Sequence, residues 1–235
     1  MKSLLLTIFL VSNLISGFAQ SDSISVAKPD AIHFLKHQFV PFSLIAAGAI
    51  LNYGNIKETV NKQIPKTNNH IDDYIQYVPA AEMYLLDAVG LKHKNGVFNQ
   101  TKYLLISQMA AAIVVHTLKN TTNVTRPNGG PTSFPSGHTT TAFVNATVLF
   151  REFKETDPWL ASSGFVLATA TGCLRMTNNA HWLPDVVIGA GIGVLSVNVV
   201  YWLEPLKKLQ LSSGKKKVSC IPMVGYKSFA LTCNF

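Results

Sequence analysis

Residues 119–138 read KNTTNVTRPNGGPTSFPSGH, and residues 175–185 read RMTNNAHWLPD. Both stretches are polar and interrupt sequence that is otherwise apolar with a helical period. They contain three short motifs, Lys119–Pro127, Pro135–His138 and Arg175–Asp185, each beside an apolar segment. Together the motifs carry three cations, two histidines and one carboxylate. Fixed positive charge beside two imidazoles suits chemistry on a phosphoryl group.

The apolar segments around the motifs predict an all-α fold, a helical bundle. Residues 78–91 are amphipathic, with Glu82 and Asp87 among them, so we expect them to pack on the bundle and not to cross a bilayer. Small residues allow helices to approach closely, and the last segment has three glycines. The predicted helical segments are 38–56, 103–118, 139–150, 159–174 and 185–203, and the glycines are Gly189, Gly191 and Gly193.

The composition favours a membrane protein. Of the 235 residues, 48% are apolar and 14% are charged, against roughly 25% charged in typical soluble domains. The net charge of +8 comes from scattered lysines and a cluster between Lys207 and Lys217. No basic stretch is interleaved with aromatic residues, so we expect no nucleic-acid partner. Lysines at a membrane surface or around an anion pocket explain the excess.

The chain divides into four predicted regions. Residues 1–19 have a lysine, a short apolar run and a small-residue cleavage site, which indicates a removed secretory signal. Residues 20–37 form a polar leader, 38–204 the helical domain, and 205–235 a basic tail with two strand-like runs. Cys220 and Cys233 would face each other in a hairpin of that tail. They would form a disulfide in an oxidising compartment and stay free in the cytoplasm.

The first two motifs are suited to holding an anion. Lys119 and Arg126 lie seven residues apart across a loop that Pro127 stiffens. In the second motif Gly137 lets the backbone approach an anion closely, and N–H groups that open a helix form an anion site. Each motif taken alone is more typical of a solvated loop or a turn.

The third motif adds a histidine that a carboxylate can orient. His181 precedes Asp185 by four residues, so at the start of a helix the carboxylate can reach the imidazole. A carboxylate that accepts the Nδ1 proton leaves the Nε2 lone pair free as nucleophile or base. The three motifs in this order favour an active site over three unrelated structural features.

Lys-x6-Arg-Pro, Pro-Ser-Gly-His and Arg-x5-His-x3-Asp resemble the signature of the type 2 phosphatidic acid phosphatase and vanadium haloperoxidase superfamily. The motifs cover residues 119–185, and the helical pattern extends the resemblance to roughly 38–203. The family usually has Ser before the third-motif arginine, where this chain has Leu174. The resemblance implies a helical bundle of the acid phosphatase/haloperoxidase type, embedded in the membrane.

The resemblance also implies a role for each residue of the motifs. His181 would attack phosphorus and form a phosphohistidine, oriented by Asp185, and His138 would protonate the leaving oxygen and then activate water. No metal or other cofactor would be needed, since three cations replace magnesium. The expected phosphate-binding groups are Lys119, Arg126, Ser136, Gly137 and Arg175. No carboxylate cluster that could hold magnesium or zinc is apparent.

Lysine positions predict which face carries the site. With a cleaved signal, crossing at 38–56 places residues 57–102 in the cytoplasm, and crossing at 103–118 returns the motifs to the periplasm. We therefore expect a lipid phosphatase of the bacterial inner membrane with a periplasmic site and a lipid phosphate substrate. A soluble periplasmic acid phosphatase, a vanadium haloperoxidase and a non-catalytic anion carrier remain as alternatives. The motifs do not distinguish among lipid head groups, and they carry no signal of oligomeric state.

Overall fold

The computed structural model describes residues 34–35, 38–203, 219–225 and 228–234. The predicted signal, most of the leader and the lysine cluster of the tail lie outside these residues. The chain divides into two units, residues 1–203 and 204–235. In the second unit, β1 (Ser219–Gly225) and β2 (Ser228–Asn234) pair antiparallel, in a register that sets Cys220 opposite Cys233.

The described residues of the first unit form helices joined by loops, with no strand, which confirms the all-α prediction for this unit. Prolines and capping residues define several helix starts: Asp157 caps one helix through its carboxylate, and Pro158 and Pro184 stand in first turns, where the missing N–H costs nothing. The helices are α1 (Phe39–Leu51), α2 (Ile56–Gln63), α3 (Asp72–Ile75), α4 (Val78–Ala88), α5 (Val97–Thr122), α6 (Gly137–Phe153), α7 (Pro158–Thr177) and α8 (Leu183–Trp202).

Helix α6 is the centre of the bundle, packed against α5, α7 and α8. Most of its side chains are buried, including Val144, Val148 and Phe153. Glycines of α8 allow the close approach of α6, because a Cβ at Gly193 would lie 2.7 Å from the Thr140 carbonyl oxygen. This confirms that the glycines serve close helix packing.

The boundaries of three predicted segments are wrong. The expected span 38–56 ends at Leu51, since Gly54 adopts a left-handed conformation (φ +64°) and the next helix, α2, turns by 91°. Helix α5 begins six residues earlier than predicted, directly after Gly96, because its polar first turns are paired within the fold. Helix α6 runs to Phe153, into the predicted turn.

Among the described residues, two helices are long and apolar enough to cross a membrane, α5 and α8. Helices α1 and α2 would make a third if the bent pair counts as one span. Of the residues that face outward on α5, Leu105, Met109 and Ile113 are each more than half exposed and follow one another at four-residue intervals. This apolar stripe is suited to contact with lipid.

The bundle has two ends, which we name by their residues. The motif end carries Lys119, His138, Arg175 and His181. The opposite end carries Gln38, Asn95, Glu152 and Asn198, where Asn198 donates to the Gln38 side chain (2.7 Å) and the backbone N–H of Asn95 donates to the Glu152 carboxylate (2.8 Å). The helical domain therefore begins and finishes at the opposite end of the bundle, near Gln38 and near Leu203 respectively.

The expected position of residues 57–77 is wrong. They were expected on the face away from the motifs, yet they contact the third motif. The Thr67 N–H donates to the Thr177 carbonyl oxygen (2.9 Å), and the Asn61 side chain donates to that of Asn179 (3.3 Å). Helix α1 thus runs from the opposite end to the motif end. Helix α4 runs back along the bundle, but with 11 residues it is not among the described helices that are long and apolar enough to cross a membrane, as expected for residues 78–91.

Candidate active site

His181 and Asp185 form a buried pair at the start of α8. The His181 side chain is 2% exposed, and its Nδ1 lies 3.6 Å from Asp185 Oδ2. That oxygen is fixed by two donors, the Ser133 hydroxyl (2.5 Å) and the Trp182 backbone N–H (3.0 Å). With the carboxylate on the Nδ1 side, Nδ1 carries the proton and Nε2 is left with its lone pair.

The surroundings of His181 keep it uncharged. Burial, together with smaller effects of the positive charges of Arg175 and Lys119, lowers the pKa of His181 to about 4 against the opposing effect of Asp185. A neutral imidazole at neutral pH is the form that acts as a nucleophile. The loop before His181 is held by backbone bonds from Ala180 and His181 to the Arg175 carbonyl oxygen.

His138, the second residue of α6, lies just before the apolar segment 139–150 and faces an acidic pair. Its Nε2 lies 2.7 Å from Asp73 Oδ1. Burial and the charge of Arg175 lower the pKa of His138, while Asp73 and Asp72 raise it. The hydrogen bond from His138 in turn lowers the pKa of Asp73, so this carboxylate is ionised.

Arg175 ends α7 between the two histidines and is held by Asp72. The Asp72 side chain is 1% exposed and accepts a hydrogen bond from Arg175 Nη1. Asp72 also accepts from the Asn178 side chain (2.9 Å), which fixes it to the end of α7. Arg175 Nε is buried and has no hydrogen-bond partner among the described residues, so it can bind a further acceptor.

Lys119 and Arg126 complete the cationic site. Lys119 Nζ donates to the Thr132 carbonyl oxygen (2.8 Å), and Arg126 Nε donates to that of Pro131 (3.0 Å). These bonds fold the 124–133 loop over the end of α5. Burial and the charge of Arg175 lower the pKa of Arg126. The charges of the three cations act on one another, so they share one region of the motif end.

Ser136 and Gly137 stand at the N-terminus of α6. The Ser136 side chain is fully buried, and its hydroxyl accepts a hydrogen bond from the Thr139 N–H. The backbone N–H of Ser136 donates to the Asp185 carbonyl oxygen (3.1 Å). The hydroxyl thus caps the helix, and its role in holding phosphate stays a prediction. Gly137 is half-buried and presents its backbone at the helix start, next to His138.

A cavity of about 280 Å³ adjoins His138. Its walls come from the middle of α5, the first turn of α6 and the end of α3, and its polar lining groups include Gln76, His116 and Thr141. Apolar lining is supplied by Ala111, Ala112 and Val115 of α5. The cavity therefore meets the motif end at Gly137 and His138.

The structure brings together every residue predicted for the site, and adds residues that sequence spacing missed. The added residues include Asp72 and Asp73, and no carboxylate cluster was expected. That expectation is wrong, because oxygens of both and a nitrogen of His138 lie within 4.8 Å of one another. These atoms do not suit a metal ion, since the guanidinium of Arg175 already lies on the Asp72 carboxylate. Ser133 was also missed, because it lies 52 residues from Asp185 in the sequence and spacing alone does not indicate their hydrogen bond.

A helical bundle with two histidines, an aspartate and three cations at one end defines a class of phosphoryl-handling proteins. The chain belongs to the PAP2 superfamily, whose family pattern matches residues 100–208.

Two curated relatives are similar over part of the chain. Lipid A 1-phosphatase of Porphyromonas gingivalis is 31% identical over 169 residues, which are 69% of this chain and 38% of that protein. Bacitracin transport permease protein BcrC of Bacillus licheniformis is 41% identical over 73 residues, 31% of this chain and 34% of that protein. The chain thus spans little more than a third of the length of these relatives.

Two solved structures are similar in fold. Aquifex aeolicus LpxE is 21% identical with a TM-score of 0.47, over 65% of this chain and 98% of that one. The transmembrane PAP2-type phosphatidylglycerolphosphate phosphatase of Bacillus subtilis is 15% identical with a TM-score of 0.42, over 88% of this chain and 98% of that one.

Proposed function

We propose that this chain is a metal-independent lipid phosphatase, which hydrolyses phosphomonoester or diphosphate groups of membrane lipids through a phosphohistidine. The observation that carries the proposal is the environment of His181. Its imidazole is buried and neutral, and Asp185 lies on its Nδ1 side. A structural histidine needs no cluster of three cations at its free nitrogen, whereas a nucleophile that attacks a phosphoryl group does.

In the first step, His181 Nε2 attacks phosphorus, and the bond from phosphorus to the leaving oxygen breaks. His138 gives its proton to that oxygen, which leaves as an alcohol or as a phosphate ester. Lys119, Arg126 and Arg175 hold the other phosphoryl oxygens as their charge redistributes. The Gly137 N–H at the start of α6 adds a backbone donor.

In the second step, water replaces His181 on phosphorus. His138, now neutral, accepts a proton from the attacking water while the phosphorus–nitrogen bond breaks. Asp185 stabilises the positive charge that His181 carries while it is phosphorylated. Inorganic phosphate leaves, and His138 is again protonated for the next substrate.

Residues around the motif end support a lipid substrate. Tyr53, Ile71, Tyr74 and Tyr77 are each more than half exposed and lie on the segments that lead into or follow α2 and α3. Tyrosines concentrate where a bilayer meets water. A phosphate bound beside Arg175 would then lie at headgroup level, with the lipid tails still in the bilayer.

The distribution of lysines supports a periplasmic site. Lys57 and Lys62 lie on α2 and Lys66 lies in the loop that follows it, all apart from the site cations. The opposite end has Lys92, Lys94 and Lys154, and the five lysines between 207 and 217 follow Leu203, where the domain ends. Because these five lysines follow α8 closely in the sequence, the positive-inside tendency favours the cytoplasm for the side on which α8 ends.

Phosphate release by the purified protein tests the proposal. The substrates are phosphatidate, phosphatidylglycerophosphate, undecaprenyl diphosphate and lipid A in detergent, with p-nitrophenyl phosphate as a soluble monoester. We expect at least one lipid to be hydrolysed faster than the soluble ester, with the rate unchanged in excess chelator and vanadate acting as a competitive inhibitor.

Three outcomes would contradict the proposal in different ways. Activity that is lost on chelation and restored by a divalent ion would overturn the metal-independent mechanism. A preference for soluble monoesters would favour the acid phosphatase alternative. Oxidation of halide by peroxide in the presence of vanadate, without phosphate release, would favour a haloperoxidase.

A further inference from the structure

Asp72 and Asp73 are neighbours in the chain but have different surroundings. Asp72 is fully buried and bound to Arg175 and Asn178. The Asp73 side chain is 44% exposed, and its Oδ1 lies 2.7 Å from His138 Nε2 and 4.0 Å from Arg175 Nη1. The first carboxylate orients the arginine, and the second contacts the histidine.

The Asp73–His138 contact repeats, on the other side of Arg175, the arrangement of Asp185 and His181. In both pairs a carboxylate oxygen lies beside one imidazole nitrogen, at 2.7 Å and 3.6 Å respectively. The two histidines need opposite properties, however. His181 must be neutral to attack, whereas His138 must hold a proton while it lies beside a guanidinium.

We propose that Asp73 is a positioning residue for the general acid His138, so that the site contains two histidine–aspartate dyads. This inference rests on the proposed function. Asp73 accepts the Nε2 proton of His138 in a hydrogen bond, and this fixes the plane of the ring. The Nδ1 proton is then the one given to the leaving oxygen, next to the cavity that His138 helps to line.

The charges around His138 explain why it needs a carboxylate. Burial and Arg175 both lower the pKa of His138, and Asp73 gives the largest opposing effect, with a smaller one from Asp72. His116 faces the same cavity from α5, and His70 lies 3.4 Å from Asp73. Without Asp73 the pKa of His138 would fall further, and less of the enzyme would hold the proton at neutral pH.

Asp73 stays ionised through both steps of the reaction. His138 loses its Nδ1 proton to the leaving oxygen and regains one from the attacking water, so atoms and charge balance without transfer to Asp73. The carboxylate stabilises the imidazolium at the start and again as water is deprotonated. Its removal should therefore slow the chemical steps more than it weakens substrate binding.

The experiment compares Asp73→Asn with the wild type in the phosphate-release assay. We expect kcat to fall about tenfold to a hundredfold, since general acid–base catalysis contributes roughly 10²–10⁴-fold. A general acid must be protonated, so the alkaline limb of the kcat/KM profile should move to lower pH. Asp73→Glu should keep the limb in place and restore part of kcat. Glu155→Gln, the same kind of change at an exposed site away from the motifs, should leave the kinetics unchanged.

A double-mutant cycle gives the readout that a merely structural role would not produce. In a His138→Ala background, Asp73→Asn should change kcat by less than about twofold, because the residue acts through His138. The proposal is wrong if the loss of kcat in the double variant is the product of the losses caused by Asp73→Asn and His138→Ala separately. It is also wrong if Asp73→Asn lowers KM while kcat and the alkaline limb stay unchanged, since Asp73 would then only compete with substrate for the cations.

Two further results keep the tests separate. A wild-type protein that releases no phosphate from any substrate would contradict the proposed function itself, whatever Asp73 does. Should Asp73→Asn fail to fold, as judged by thermal unfolding in detergent, Asp73→Glu decides. The proposal is supported if the alkaline limb of the kcat/KM profile of Asp73→Glu stays at the wild-type pH and its kcat is within about tenfold of the wild-type value. It is contradicted if this limb moves to lower pH.

Discussion

The two histidines of the site have the same side chain but opposite protonation requirements, and their neighbours account for the difference. His181 is 2% exposed and lies in the field of Arg175 and Lys119, which together with burial lower its pKa to about 4. His138 is nearer to solvent, with 31% of its side chain exposed, and faces an ionised carboxylate. One imidazole is thereby kept neutral, while the other retains a partner for its proton.

His181→Ala tests the role of the buried imidazole. We expect phosphate release to fall by several powers of ten, because the proposed covalent step needs the Nε2 lone pair. Asp185→Asn should cause a large but smaller loss, since the amide favours the wrong tautomer of His181. Phosphate release is measured with the best lipid of the panel, and thermal unfolding in detergent shows whether each variant is folded.

The same exposed substitution, Glu155→Gln, serves as the control for expression and folding. Substantial hydrolysis by folded His181→Ala protein would exclude a phosphohistidine. A full loss in Asp185→Asn, equal to that of His181→Ala, would mean that the carboxylate does more than orient the ring.

Sequence spacing predicts some of these contacts and conceals others. His181 and Asp185 lie within one turn at a helix start, so their pairing follows from the sequence. Asp72 reaches Arg175 across 103 residues. That contact depends on the bend after α1 and on the path of residues 57–77 across the motif end. An Asp-Asp pair in a polar stretch carries no local signal of such a position.

At the scale of elements, glycines determine how closely α8 approaches α6. A Cβ at Gly193 would lie 2.7 Å from the Thr140 carbonyl oxygen and 3.1 Å from the Val144 nitrogen. A Cβ at Gly189 would lie 2.9 Å from the Ser136 carbonyl oxygen, one residue before Gly137. Both neighbours are backbone atoms, which cannot move without shifting the helix that carries His138.

Gly193→Ala and Gly189→Ala should therefore have different effects. Gly193 lies further from the site, so its substitution should mainly destabilise the protein, by about 1–3 kcal/mol, as overpacked cores do. Gly189→Ala should also lower kcat, because it displaces the start of α6 and with it His138. Thermal unfolding in detergent and phosphate release measure the two effects.

Gly96→Ala is the matched control, because a Cβ at Gly96 meets no atom within 4 Å. Its backbone angles (φ −59°, ψ 152°) suit alanine, so the only expected cost is that of replacing glycine at the N-cap of α5, about 1 kcal/mol or less. If Gly193→Ala is as stable as this control, the close approach of α8 and α6 does not matter for stability.

The sequence predicted the helical elements better than their ends. Apolar runs with a helical period persist through α5, α6, α7 and α8, so these helices were expected. The break after Leu51 was missed, because one glycine with a positive φ ends α1 inside an uncharged stretch. This break also changes the position of the next helix, because the 91° turn places α2 across the motif end.

At the scale of the whole molecule, the directions of the helices determine on which side of the membrane the helical domain begins and ends, relative to the site. Helices α1, α4, α5, α6, α7 and α8 alternate in direction, so the domain begins and ends at the opposite end of the bundle. If the bundle lies in the bilayer with the site in the periplasm, Gln38 lies on the cytoplasmic side. A signal cleaved after residue 19 would instead leave residue 20 in the periplasm, and the polar residues 20–37 cannot cross back.

Membrane fractionation and cysteine labelling decide between these arrangements. We expect the protein to pellet with membranes and to resist extraction by salt and alkali. In a background with Cys173, Cys220 and Cys233 replaced by serine, Asn128→Cys should react with an impermeant thiol reagent in intact spheroplasts. Lys94→Cys should react only after lysis. Both positions are exposed, so a difference in reactivity reports the side of the membrane.

The labelling pattern and the N-terminal residue of the purified protein together separate the remaining possibilities. Labelling at Asn128 alone would mean a periplasmic site, with Gln38 on the cytoplasmic side. In that case we expect an intact N-terminus, because a signal cleaved after residue 19 would leave residue 20 in the periplasm. Labelling at Lys94 alone, with Gln20 as the first residue, would place the site in the cytoplasm and overturn its proposed address. Labelling at both positions, in protein released with the periplasm, would mean that the bundle does not span the bilayer. The soluble acid phosphatase alternative would then replace the membrane enzyme, and a disulfide between Cys220 and Cys233 would be expected.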